Sequence, residues 1–190
     1  MTLDIETYLN KDNFQIPYCI CIYNGKICNS YYYQYFKSPE DILLKAIKSI
    51  CIPEYNNYNV YAHNFSSFDG IFILKILNRL GNIEPVIKDG KIISVKLIYY
   101  NKAQRKYHSI TFLDSILLLN ASLRKLAKSF NTSTQKGNLD VTMIKENNYL
   151  HHKDEVIRYC ADDCISLYQI LVKFNNLFME RWIKLFHSFS

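Results

Sequence analysis

The stretch NVYAHNFSSFDGIFILKILNRL, residues 59–80, decides the fold. Its first five residues read as a short strand, NFSSF as a loop, and DGIFILKILNRL as an apolar helix stopped by Gly81. One carboxylate, Asp69, stands where the loop gives way to the helix. Taken alone, an acid there only favours the helix dipole.

Reading outward, Met1 to Glu6 is the end of a strand, and PYCICIYN and KICNSYYYQYF are two more joined at Asn24-Gly25, a strong hairpin signal. Ser38 as N-cap, Pro39 behind it and acids in the first turn predict a helix to about Ile50. PVIKDGKIISVKLIYY is a second hairpin, turning at Asp89-Gly90, and RKYHSITFLDS is a further strand. SLRKLAKSF is a short basic helix. The last element, about His151 to Phe178, repeats apolar residues at helical spacing. The pattern is mixed α/β, with strands first and helices closing the domain.

At 190 residues the chain suits one domain with a real core. A hydrophobic content of 49% excludes disorder, and no apolar run is long enough for a membrane span, so a soluble protein is expected. The net charge of +6, spread along the chain, suits a polyanionic partner and equally serves solubility. Six cysteines without a C-x-x-C pair read as reduced core residues, not disulfides or a structural zinc site.

Three acidic motifs stand apart. DIET places Asp4 and Glu6 two positions apart on a strand, so both project from one face, where a divalent cation would offset their repulsion. YCADD places Tyr159 and Asp163 one helical turn apart, with Asp162 pointing elsewhere. Each motif alone is weak, since strand ends and helix surfaces carry such residues routinely.

Together they run D-x-E, then N-x-x-x-F-D, then Y-x-x-x-D. This set resembles the DEDD exonuclease superfamily of the ribonuclease H-like fold, in its tyrosine branch. More narrowly it looks like the 3′-to-5′ exonuclease domain of protein-primed family B DNA polymerases, found in phages, adenoviruses, linear plasmids and fungal or plant mitochondria. The resemblance covers nearly the whole chain. It implies a mixed sheet flanked by helices and two divalent ions, Mg2+ or Mn2+, held by Asp4, Glu6, Asp69 and Asp163. It further implies that Tyr159 orients the attacking water and that Lys136, in TQKGNLD, meets the scissile phosphate. DNA contacts are expected from Thr7, His63, Asn64 and Phe68, with Tyr61 undecided; Ser115 competes with the Ser122-Leu123 pair for the group's Ser/Thr-Leu motif.

The implied partners are a single-stranded DNA 3′ end, the remainder of the polymerase and a terminal-protein primer, with no membrane. Composition and family habit point to a mitochondrion, the chain being organelle- or plasmid-encoded, and otherwise to a cytoplasmic or viral setting. Only three residues precede Asp4, which sets the expectation of a truncated first strand. Residues 1–190 are read as one exonuclease domain lacking palm, fingers and thumb. A free-standing exonuclease and a noncatalytic nucleic-acid-binding remnant stay open as alternatives. DDCISLYQ resembles a polymerase segment, but Gln169 stands where that segment has proline, so it reads as the closing helix. YYYQYF reads as alternating tyrosines in a half-buried strand, and HHKDE as a solvated first turn.

Overall fold

The computed structural model describes residues 1–135 and 137–187, with side chains through Glu180 and that of Tyr35 omitted. A seven-stranded sheet has the order β3-β2-β1-β4-β7-β6-β5, formed by β1 (Thr2–Leu9), β2 (Gln15–Tyr23), β3 (Cys28–Tyr32), β4 (Tyr58–Ala62), β5 (Asn82–Lys88), β6 (Lys91–Asn101) and β7 (Lys106–Asp114). The central pairings β1–β4 and β4–β7 are parallel, and the outer ones are antiparallel. This is the ribonuclease H-like α/β architecture.

Strand periodicity sorts β1 into two faces. Leu3 and Ile5, with Ile20 and Ile22 of β2, pack into a core shared with α1 (Pro39–Ile50) and α2 (Asp69–Leu80). Ser38 caps α1, its hydroxyl accepting from the Asp41 N–H at 3.2 Å, a contact worth about 1 kcal/mol. Ile42, Leu43, Ile47, Ile73, Ile76 and Leu77 are buried in that layer, each contributing roughly 1.5–3 kcal/mol. The opposite face of β1 and β2 carries Tyr8, Cys19 and Cys21 beneath α4 (Lys153–His187). The short α3 (Leu123–Ser129) packs on α4 through Leu123, Leu126, Ala127, Leu167 and Ile170.

Three elements depart from the sequence expectation. β1 runs on past Glu6 to Leu9, paired with β2 throughout, so the strand is eight residues long despite its short lead. YYYQYF is not a continuous strand: β3 ends at Tyr32 and Tyr33–Tyr35 turn into a 3₁₀ helix. Tyr32 and Tyr33 join an aromatic cluster, stacked against Tyr149 at 6.2 and 6.1 Å. The last helix starts at Lys153, so His151 and His152 precede it. Among the described residues, no helix is long and apolar enough to cross a membrane.

Candidate active site

The site begins on β1. Register with β2 sets Asp4 opposite Cys21 and Glu6 opposite Cys19, so four side chains share the face that α4 covers. A bulge between Glu6 and Thr7, where Tyr18 is the extra residue on β2, breaks the ladder just beyond the acidic pair. Carboxylate oxygens of Asp4 and Glu6 and the Cys160 sulfur all lie within 4.8 Å of one another. Asp4 is half-buried and Glu6 is 9% exposed.

Asp69 opens α2 and is only 1% exposed. Burial pushes its carboxyl well above the usual range, and the Asp4 charge pushes the same way. Its own backbone N–H and that of Ile5 pull back against this. Its Oδ1 is shut away from water with no hydrogen-bond partner among the described residues. Either a proton or a cation must offset such a group.

α4 brings the third motif. The Thr2 hydroxyl donates to the Cys164 carbonyl at 2.8 Å, and the Cys160 thiol donates to the Asp4 carbonyl at 3.4 Å. These contacts lay helix residues 160–164 across the start of β1, with Tyr159 and Asp163 both buried. Asp162 is more exposed, as expected from its place on the helix. The Tyr159 ring is in turn seated against Gly137, where an added Cβ would come within 2.9 Å of Cδ2. Arg124 of α3 holds this strip of chain, donating to the Gly137 carbonyl at 3.0 Å and to the Asn138 Oδ1 at 2.8 Å. Lys136 itself lies outside the described residues.

The loop before Asp69 is organised by a residue that sequence reading missed, Asp114 at the end of β7. Its buried carboxylate accepts three backbone N–H groups: Asn64 at 3.0 Å, Ser66 at 2.9 Å and Ile116 at 3.0 Å. Asn64 is left-handed, with φ of 69°, a strained choice that this anchoring stabilises. The signal was LDS at a strand end, a carboxylate positioned to cap the following turn. Ser115 is buried behind it, donating to the Ala62 carbonyl at 3.2 Å and lying 3.0 Å from His63 Nδ1. His63 Nε2 is 3.0 Å from the Ala121 carbonyl, so both ring nitrogens are engaged in pinning the loop.

The remaining candidates fall into two places. Thr7, Glu6 and Phe68 line one cleft of about 270 Å³ with Tyr8, Thr142 and Lys145. Phe68 touches Phe72 edge-on at 5.4 Å, and the Thr7 hydroxyl donates to Gln15 Oε1. Ser122 and Leu123 sit elsewhere: Ser122 caps α3, and Leu123 is spent in the α3–α4 packing, which Tyr61 also borders. Ser115, not Ser122, therefore adjoins the Asn64 loop.

The fold is a ribonuclease H-like sheet whose first strand carries Asp4 and Glu6, with Asp69 at the start of α2 facing the Asp4 charge and Asp163 buried on α4. The carboxylate oxygens of Asp4 and Glu6, with the buried Asp69 Oδ1 as a further oxygen donor, fit hard ions such as Mg2+ or Mn2+, whereas the Cys160 sulfur beside the pair does not. The chain belongs to the DNA polymerase type B family, organellar and viral, whose pattern it matches over residues 50–155. It is 31% identical over 210 residues to a probable DNA polymerase of Neurospora intermedia, covering 90% of this chain and 22% of that one. A probable DNA polymerase of Ascobolus immersus is 29% identical, covering 91% and 17%. The chain thus spans about a fifth of the length of these curated relatives. Phi29 DNA polymerase complexed with single-stranded DNA shares the fold, with a TM-score of 0.67 at 18% identity over 92% of this chain and 31% of that one.

Proposed function

We propose that this chain is the 3′-to-5′ exonuclease domain of a protein-primed type B DNA polymerase, removing nucleotides from single-stranded 3′ ends. The observation that carries the reading is Asp69: a fully buried carboxyl, lacking a partner for Oδ1 and facing the charge of Asp4, makes physical sense beside cations. Asp4, Glu6, Asp69 and Asp163 would hold two divalent ions. When bound, these ions lower the pKa of water and stabilise charge on the phosphate oxygens.

The chain's own groups do the rest. The water oxygen attacks the terminal phosphorus, the bond from phosphorus to the 3′ oxygen breaks, and a proton ends on that oxygen. A nucleoside 5′-monophosphate leaves. The Tyr159 hydroxyl orients the water, its ring kept in place by Gly137. Phe68 offers a ring face to the terminal base in the cleft beside Glu6, and Thr7 offers a hydroxyl there. Asn64 reaches the sugar or base from a loop that Asp114 fixes. Lys136 stabilises the charge developing on phosphate. The remainder of the polymerase and a terminal-protein primer are the proposed partners, and an organelle is the proposed setting.

The test is polarity. A 5′-labelled single-stranded oligonucleotide with Mg2+ or Mn2+ should shorten in single-nucleotide steps from the 3′ end and stall at a 3′-terminal phosphorothioate. Entry from the 5′ end, or internal cleavage, would overturn the proposal.

A further inference from the structure

Behind the acidic pair lies a group of thiols that hydrolysis does not use. Cys19 and Cys21 stand opposite Glu6 and Asp4 on β2, and α4 lays Cys160 over them. The three sulfurs lie within 4.8 Å of one another, and all three residues are buried. Cys160 belongs to two groups at once, since its sulfur also lies within 4.8 Å of carboxylate oxygens of Asp4 and Glu6. Cys164 continues the cluster, its thiol donating to the Cys21 carbonyl at 3.4 Å.

We propose that Cys19, Cys21 and Cys160 form a site for one thiophilic divalent cation, Zn2+ or Cd2+, with a carboxylate oxygen of the acidic pair as fourth ligand. Tetrahedral zinc with Zn–S near 2.3 Å sets sulfurs about 3.8 Å apart, so the cluster closes by about 1 Å at most. Thiolates select such ions over Mg2+ and Mn2+, which prefer oxygen. Glu6 borders the 270 Å³ cleft, and its carboxylate lies within 4.8 Å of the Cys160 sulfur, so it is the group through which the buried thiols come nearest that cleft. On binding, three S–H bonds give up their protons to solvent and three metal–sulfur bonds form. One consequence rests on the exonuclease reading: the ion draws a carboxylate away from the hydrolytic centre, so micromolar Zn2+ inhibits in the presence of excess Mg2+.

The binding test does not depend on nuclease activity. The reduced, metal-free chain is titrated anaerobically with CdCl2 while sulfur-to-cadmium charge-transfer absorption and proton release are followed. One Cd2+ per chain and close to three protons per ion are expected, with affinity reduced 100-fold or more in Cys160→Ser and unchanged in Cys51→Ser, a cysteine outside the cluster. Because Cys160→Ser could unfold, the proton count on the wild type stands as a second readout. Absence of a saturating sulfur band at one equivalent, or an unaltered band in folded Cys160→Ser, would overturn the site. A chain that degrades DNA but shows no such band refutes this inference alone. A band without nuclease activity refutes only the exonuclease reading.

Discussion

Asp114 accepts the backbone N–H of Asn64 at 3.0 Å across 50 residues of sequence, tying the end of β7 to the loop that delivers Asp69. A carboxylate that satisfies three N–H groups fixes a loop more firmly than side-chain packing, because each unmade bond would leave a donor stranded. Asp114→Ala orphans all three, at about 1–3 kcal/mol for each that water cannot reach. The expected outcome is a clearly lowered Tm and a loss of activity out of proportion to the unfolded fraction, with Asp114→Asn intermediate. A Tm unchanged in Asp114→Ala would refute the anchoring role.

Asp69 should cost stability in the absence of metal. Its carboxyl titrates above the unfolded value, so the native state binds the proton more tightly and the contribution of Asp69 to stability is fully present only below the ordinary carboxylate range. As pH rises from the ordinary carboxylate range through the raised value, metal-free protein loses stability. Asp69→Asn, measured by thermal unfolding in a chelator, should flatten that decline and equal or exceed the wild type near pH 7. Mn2+ should raise the wild-type Tm more than that of the variant.

Arg124 is expected to act through Tyr159, because it holds the strip of chain on which that ring rests. Arg124→Ala removes two exposed hydrogen bonds, which should cost under about 1 kcal/mol of stability. It should nevertheless lower kcat about tenfold with little change in KM. Gly137→Ala should do the same by displacing the ring. A KM effect without a kcat effect would argue against this arrangement.

Lys145 lines the cleft that holds Glu6, Thr7 and Phe68 and also the adjoining cleft of Lys11 and Asn147. As a phosphate contact it should contribute close to one unit to the salt dependence of single-strand binding. Lys145→Glu should weaken binding across all sequences and flatten the slope of log K against log salt. Cleavage chemistry at saturating DNA should be unaffected.

Much of this was legible in the chain. Ser38 announced α1, and Asp89-Gly90 announced a hairpin whose two central residues both take positive φ, as a type I′ turn requires. The places of Asp4 and Glu6 on a strand, of Asp69 at a helix start and of Tyr159 and Asp163 on the last helix were legible from local pattern, while their roles belong to the proposed function. β1 beyond Glu6 was not legible, because its alternation breaks off there: Tyr8 is buried but Leu9, an apolar residue, is left 42% exposed, and polar residues follow from Asn10. The thiol cluster was invisible for a different reason. Its members come from a strand and a helix about 140 residues apart, and ligand spacing in sequence reports only locally built sites.

The most direct measurement is release of the terminal nucleotide from 3′-labelled single-stranded DNA with Mg2+, by the wild type and by Asp4→Ala and Asp163→Ala. The account expects labelled nucleoside 5′-monophosphate from the wild type and at least a thousandfold less from either variant, with all three folded. Release that persists in both folded variants, or a folded wild type that binds DNA without cleaving it, would contradict a two-ion exonuclease on this chain.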